Sequence, residues 1–311
     1  MTGNCSSAKK GPFDALVRAN KQIGQRFYRL SMEFSQAGAA AFAKTTAGQF
    51  AQLDLSTAAL PPTEAIPQDL LDASGRKILL RRPFSFSSVT VKENKTTVDI
   101  VYCVVGPASL RMTTLSSGNS VNVIGPLGNG FWVPQGKRTA LLVAGGMGTT
   151  PLQHLAQAMT TDQPEIEVVA FAGAKSKYDL PFERRLDEIS QQLGFSLAEF
   201  SRYGITSSIA TDDGSAGFAG LVTDCLADWL SKNRPAAKNT IIYGCGPEAM
   251  LKRAAEIAQE YKIDCQVSME RRMACGIGIC QSCAVECKVA DSNETVYKLC
   301  CKDGPVFDGR K

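Results

Sequence analysis

Histidine is almost missing from this chain. His154 is the only one in 311 residues, which excludes catalysis built on a histidine pair and a zinc site of three histidines. Long hydrophobic runs are missing too. Nowhere do about 18 apolar residues follow one another, the length a bilayer span needs, and the longest candidates, such as TALLVAGGMG, are strand-sized. The opening stretch MTGNCSSAKKGPFDALVRAN holds no apolar core of a secretory signal, so a reducing cytoplasm is the expected compartment. The net charge is only +4 and no Lys/Arg block occurs, which argues against nucleic acid or a membrane surface as partner.

Cysteine is plentiful instead. There are 11, an odd number, in a chain long enough for about two domains. Hydrophobic content of 44% and charged content of 21% are ordinary for a protein with real cores. No staple is needed, and in a reducing compartment clustered thiols bind metal more often than they pair. The cluster is MACGIGICQSCAVEC, residues 273–287, with Cys300–Cys301 further on. Cys275, Cys280 and Cys283 have the spacing C-x4-C-x2-C, the plant-type [2Fe–2S] arrangement once a distal fourth cysteine joins. Gly276 and Gly278 let the loop wrap tightly and bring backbone N–H groups toward the sulfides. A structural zinc is the alternative, but it usually takes two C-x2-C knuckles and only one occurs here. Cys287 is too near Cys283 to close the far side, so spacing leaves Cys300 and Cys301 both open as fourth ligand.

Two kinds of periodicity divide the rest. Up to about residue 135, short runs such as FYRLSMEF, GQFAQLDL, ILLRRPFSFSSVTV, TTVDIVYCVV and SVNVIG read as strands of an all-β barrel or sandwich. A proline-containing excursion at 56–76 interrupts them, with a short helical piece at PQDLLDA. From Gly136 strands and helices alternate: RTALLVAGG, TTPLQHLAQAM, EIEVVAFAG, the polar helical stretch DLPFERRLDEISQQLG, LAEFSRYG, LVTDCLADWLSKN, NTIIYGCG and PEAMLKRAAEIAQEY. That alternation predicts a doubly wound parallel sheet. The chain therefore reads as a β-barrel at 1–135, an α/β domain at 136–264 and a small cysteine-rich unit at 265–311.

Two glycine turns belong to the α/β part. A strand running into Gly145-Gly146-x-Gly148 and then a helix starting at Thr149 is an anion cradle, since free N–H groups and the helix dipole stabilise a pyrophosphate. Cys245-Gly246-Pro247 repeats the arrangement at a later strand end, on the same carboxyl edge where such sheets bind ligands. In the barrel part, Arg82-Pro83-Phe84-Ser85 can pair a phosphate while its strand lines a flavin ring, or it is an edge strand with solvated arginines.

Together these stretches resemble the ferredoxin–NADP reductase superfamily, and within it the electron-transfer subunits of NAD-linked, two-subunit dihydroorotate dehydrogenases, from about Gly24 to Phe307. The similarity rests on R-P-F-S at 82–85, A-G-Q-F at 47–50, G-P-L-G-N-G-F at 125–131, G-G-x-G-x-x-P at 145–151, D-D-G-S-x-G at 212–217, C-G-P at 245–247, the E-x-R-M-A-C-G-I-G-x-C-x-x-C region at 270–283 (with Arg271 and Arg272 before Met273), and C-K-D-G-P-V-F at 301–307. The resemblance implies that Cys301 is the fourth ligand. It also implies FAD on the barrel at Arg82, Pro83, Phe84, Ser85, Val101, Tyr102, Cys103, Ala108 and Ser109, and NAD as the exchangeable substrate at Gly145, Gly146, Gly148, Thr149, Cys245, Gly246 and Pro247. Two positions depart from the family, Cys103 standing for an arginine and Ala108 for a glycine.

The implied activity is a relay in pyrimidine biosynthesis: electrons from an FMN-bearing catalytic subunit, in a two-plus-two heterotetramer, enter the cluster and leave through FAD to NAD+. No side chain need act as acid or base, in keeping with the scarcity of histidine; Cys245 has a place beside the nicotinamide or in packing. Lys175, Ser176 and Lys177 could meet the 2′-phosphate of NADP, but the family points to NAD. The rival readings are an NAD(P)H-linked flavin/iron–sulfur reductase subunit serving another redox partner, and a zinc-stabilised module with no redox role.

Overall fold

The computed structural model describes residues 11–181, 197–289, 292 and 294–310. The first unit contains β1 (Gly11–Gln22), β2 (Phe27–Ser35), α1 (Gln36–Phe42), β3 (Phe50–Leu53), α2 (Leu71–Ser74), β4 (Arg82–Ser85), β5 (Ser88–Lys92), β6 (Lys95–Cys103), α3 (Pro107–Met112) and β7 (Ser120–Leu127). Its seven strands form one antiparallel sheet in the order β4-β3-β7-β1-β2-β6-β5, a half-barrel with β4 and β5 at its edges. Period-two alternation fills the interior: Leu30, Met32 and Phe34 from β2, Val98, Ile100 and Tyr102 from β6, and Val121 and Val123 from β7 all enter one core. The first strand begins at Gly11, earlier than the pattern from residue 20 foretells, because Ala15 and Val17 alternate with polar Asp14 and Arg18 in too short a run to stand out. The excursion at 56–76 holds two single 3-10 turns and then α2.

The second unit comprises β8 (Thr139–Gly145), α4 (Thr149–Asp162), β9 (Glu167–Ala174), α5 (Ala198–Ser201), β10 (Thr206–Thr211), β11 (Phe218–Ala219), α6 (Val222–Asn233), β12 (Thr240–Cys245), α7 (Glu248–Glu260) and β13 (Asp264–Ser268). The strands run parallel in the order β11-β10-β9-β8-β12-β13. Strand β8 is apolar throughout because both its faces are covered: Ala140, Leu142 and Ala144 meet the core on one side, Leu141 and Val143 that on the other.

One sequence expectation is corrected here. LAEFSRYG is no strand; it holds the short helix α5, and the strand is β10, whose sequence TSSIAT is too polar to read as buried. The boundary at 264/265 cuts β13, which belongs to the parallel sheet because Cys265 and Val267 alternate into its core. Most of the helical stretch predicted from DLPFERRLDEISQQLG lies outside the described residues.

The third unit is the cysteine loop, the hairpin β14 (Ala284–Lys288) and β15 (Thr295–Leu299), and β16 (Val306–Asp308), which adds antiparallel to β13. On its other side it grips the barrel. The Asn129 amide donates to the carbonyls of Lys302 and Asp303 at 3.2 and 3.0 Å, and its backbone N–H donates to Gly304 O at 2.6 Å. A Cβ on Gly128 would sit 2.7 Å from Pro305 and 2.8 Å from Gly304 O. The two motifs at 125–131 and 301–307 therefore clasp each other, and only glycine allows that approach. Asn129→Ala removes the donor from two exposed carbonyls, which water can then meet, and is expected to cost about 0.5–1.5 kcal/mol, read as an earlier urea midpoint.

The lone histidine is structural. His154 lies on the buried face of α4, and burial pulls its pKa from 6.5 down to about 4. The unfolded chain takes up that proton near 6.5 and the folded one only near 4, so the unfolded state binds more protons between them and stability falls as pH drops through this window. The contribution is about 3 kcal/mol. Urea titrations of His154→Leu should lose this slope between pH 6.5 and 4.

Candidate functional site

The wrapping of the cysteine loop comes from glycine. Gly276 and Gly278 take φ values of +71° and +89°, which side chains with a Cβ rarely adopt. The turn aims backbone donors at sulfur: the N–H groups of Ile277 and Cys280 point at Cys275 Sγ at 3.5 and 3.4 Å. The Cys301 N–H points at Cys283 Sγ at 3.4 Å. The thiols fall into two pairs. Cys280 rests its N–H on the Cys275 sulfur and Cys301 its N–H on the Cys283 sulfur, each at 3.4 Å. Among the described residues no three His, Cys, Asp or Glu side chains converge as a single ion requires. Two pairs of thiols, each pair facing backbone donors, fit a two-iron cluster better than one zinc ion, because a rhomb of two irons takes two thiolates at each end.

Cys300 is turned elsewhere. Its thiol donates to Met269 O at 3.2 Å, and burial pushes it up to about 12. Cys301 is also pushed up to about 12, by burial first and then by the adjoining Cys283 thiol. Cys280, at the exposed lip, is pulled down to about 6 by the Ser282 hydroxyl and N–H. Cys287 sits in the hairpin with its Sγ directed at Val285 O, away from these pairs. All ten described cysteines are free thiols.

The two glycine turns meet at the point where strand order reverses, between β8 and β12. A Cβ on Gly148 would lie 2.0 Å from Cys245 O and 2.7 Å from Gly246 N; one on Gly145 would lie 2.7 Å from Pro247. Gly146 has φ +50° and open space where a side chain would stand, so an incoming group can approach its backbone. Thr149 starts α4 with its hydroxyl donating to Gly146 O at 2.8 Å. Burial pushes the Cys245 thiol up to about 12, so it stays protonated at neutral pH. The segment at 212–217 runs beside 174–177, with Asp212 and Asp213 N–H donating to Ala174 and Lys175 carbonyls. There the Ser176 hydroxyl is bonded to Asp179 at 2.7 Å.

On the barrel, β4 is half-buried along its whole length, and Arg82 Nη1 donates to the carbonyls of Leu80 and Arg81. Strand β6 adjoins β4 and also lies against the 146–148 turn, so the barrel strands expected to carry flavin border the nicotinamide turns. Val101 and Cys103 lie on the opposite face of β6 from Tyr102. Tyr102 points into the barrel core, stacked on Tyr28 with centroids 5.4 Å apart and edge-on to Phe84 at 6.4 Å. Its hydroxyl donates to Asn20 at 3.2 Å. Cys103 is raised by burial, with Arg26 close enough to oppose the rise. Ala108 is buried, and Ser109 Oγ accepts the N–H groups of Val105 and Gly106 at 3.0 and 3.2 Å. That hydroxyl holds the start of α3.

Sequence reasoning passed over Gln52. It is fully buried in β3, and neither end of its amide has a hydrogen-bond partner among the described residues. One polar residue within the apolar FAQL was the available signal.

Comparison with known proteins bears on each of these sites. Residues 270–311 match the iron–sulfur cluster binding domain of dihydroorotate dehydrogenase B, and residues 142–256 match the oxidoreductase NAD-binding domain. A dihydroorotate dehydrogenase B (NAD(+)) electron transfer subunit from Bacillus caldolyticus is 33% identical over 94% of this chain and 94% of its own. The protein of the same name from Clostridium perfringens is 31% identical over 96% of each, and that from Caldanaerobacter subterraneus subsp. tengcongensis 35% over 76% and 82%. Among solved structures, an NADH-dependent reduced ferredoxin-NADP oxidoreductase superposes with a TM-score of 0.69 at 23% identity, over 95% of this chain and 88% of that one. A ferredoxin NADP+ reductase from Neisseria gonorrhoeae gives 0.53 at 15% identity, over 80% and 91%. With its half-barrel, its nucleotide-type sheet and its paired thiols, the chain belongs to the family of dihydroorotate dehydrogenase B (NAD(+)) electron transfer subunits.

Proposed function

We propose that this chain connects the oxidation of dihydroorotate, on a separate FMN-bearing catalytic subunit, to the reduction of NAD+, two copies of each making the working assembly in the cytoplasm. The observation that carries the reading is the pairing of four cysteines through backbone N–H to sulfur contacts, Cys280 on Cys275 and Cys301 on Cys283, beside a barrel and a nucleotide-type sheet. These four would ligate the iron. When bound, FAD converts between the two electrons of a hydride and the single electrons of a cluster.

The protein's own residues bind, orient and exclude water. Arg82, Pro83, Phe84 and Ser85 would line the flavin from the half-buried edge strand, with Val101, Tyr102 and Cys103 next to them and the turn of Ala108 and Ser109 closing that end. The N–H groups of Gly146, Gly148 and Thr149 at the start of α4, faced by Cys245, Gly246 and Pro247, would take the pyrophosphate of NAD. Cys245, protonated by burial, serves packing. Residues 1–135, 136–264 and 265–311 are taken as the flavin, nicotinamide and cluster units, with β13 lent to the middle one. The cluster loop offers a lip for the catalytic subunit: Ile277 and Ile279 are exposed beside the exposed Cys280, an arrangement suited to apolar contact over a group that must exchange electrons.

The reconstituted chain should hold iron and acid-labile sulfide near two per chain, together with FAD. It should reduce dyes with NADH, and should not oxidise dihydroorotate until the FMN subunit is added. Dihydroorotate oxidation by the chain alone would overturn the reading.

A further inference from the structure

Strand β3 has two faces with different duties. Ala51 and Leu53 enter the barrel core, whereas Phe50 leaves from the other face and packs with Cys283, Cys300 and Cys301. Gln52 shares that outer face with Phe50. Its amide lies beneath the cysteine loop, so close that a Cβ on Gly276 would sit 2.1 Å from Nε2 and 2.8 Å from Cδ. The residue is 0% exposed, and neither Nε2 nor Oε1 has a partner among the described residues. A buried polar group left unpaired is costly, so an amide unpaired at both ends, facing a loop of thiols, is a site awaiting an acceptor.

We propose that the Gln52 amide N–H donates a hydrogen bond to a sulfur of the cluster gripped by the loop, and so raises the cluster's reduction potential. The proposal rests on the reading above that the four paired thiols hold a [2Fe–2S] cluster. Taking up an electron makes the cluster more negative, so a donor fixed beside its sulfurs favours the reduced form more than the oxidised one. Gln52 is well placed to stay fixed, because β3 is held between β4 and β7 and its side chain is fully buried against the Gly276 backbone. Its cross-strand partner is Pro83 of the flavin strand, so the residue that tunes one redox group is anchored in the sheet that carries the other. Gln52 acts through the cluster's environment and is a positioning residue.

The test is an EPR-monitored redox titration of the reconstituted chain, wild type against Gln52→Met. The expected result is a cluster midpoint shifted downward, with about three- to tenfold less reduced cluster at a fixed potential, tenfold being 59 mV for one electron. The flavin midpoint should stay in place, and the exchangeable-proton coupling to the reduced cluster should weaken in pulsed EPR. An unshifted cluster midpoint overturns the proposal. So does a shift confined to the flavin, which would give the amide to the isoalloxazine instead. A variant that folds, keeps its flavin and loses the cluster also overturns it, since Gln52 would then hold the loop rather than tune it. Should Gln52→Met not fold, Gln52→Leu carries the same measurement. A wild-type chain that binds neither iron nor sulfide refutes the earlier reading, a failure distinct from all of these.

Discussion

Cys301→Ala is expected to yield a protein that keeps its flavin and its NADH-dependent dye reduction yet has lost iron, sulfide and the cluster's visible bands. Cys300→Ala should keep them all. The two neighbours differ because the chain turns between them. Cys301 shares a pair with Cys283, on whose sulfur its own N–H rests at 3.4 Å. The Cys300 thiol faces away and donates to the Met269 carbonyl at 3.2 Å. Under the proposed ligation, removing one of four thiolates would leave an iron without a ligand. Even outer partners of metal ligands commonly cost 10–100-fold in affinity or activity, so dihydroorotate-linked NAD+ reduction in the assembled complex should fall by more than about a hundredfold. Iron and sulfide assays together with both activities make the measurement. Cluster loss from Cys300→Ala with retention in Cys301→Ala would reverse the assignment.

Gly148→Val should abolish the nicotinamide half-reaction and leave both redox groups in place. The cause is space rather than backbone angle. Gly148 has φ −61°, open to any residue, but a Cβ there would meet Cys245 O at 2.0 Å and Gly246 N at 2.7 Å. Both are backbone atoms of the facing turn and cannot swing aside as a side chain would. The two turns must separate, and misplacing a reacting group by about 1 Å can cost roughly 100-fold. NADH-dependent dye reduction should therefore drop about 100-fold while the flavin and cluster spectra stay unchanged. Gly204→Asn is the contrast: φ +71° with nothing near is a conformation asparagine tolerates, it lies outside the two glycine turns, and activity should largely survive. Undiminished dye reduction by Gly148→Val would mean that the turns do not form the pyrophosphate cradle.

Much of this molecule was legible along the chain because its cues are local. The C-x4-C-x2-C spacing with Gly276 and Gly278 describes one loop, and Gly145-Gly146-x-Gly148 before an amphipathic run describes one strand-to-helix turn. Each conveys its chemistry over a dozen residues. Alternation exposed most barrel strands, while polar β10 escaped because burial by neighbours, not composition, makes it a strand. The cysteine at 265 likewise concealed β13 inside what reads as a thiol-rich tail.

Other properties arise only when distant segments meet. Spacing could not separate Cys300 from Cys301, since adjacent residues have equal reach; the orientation of each thiol depends on the turn after β15 and on what packs beneath it. Nothing within 125–131 or 301–307 announces that these motifs clasp each other, because a steric fit between two glycine-rich backbones leaves no periodicity in either. Gln52 is the clearest case. In FAQL it looks like a lapse in an apolar strand, and its burial under Gly276 exists only once β3 and the cysteine loop, some 220 residues apart, are stacked. Local chemistry is written in short windows, whereas orientation and burial are sums over neighbours that the chain order does not reveal.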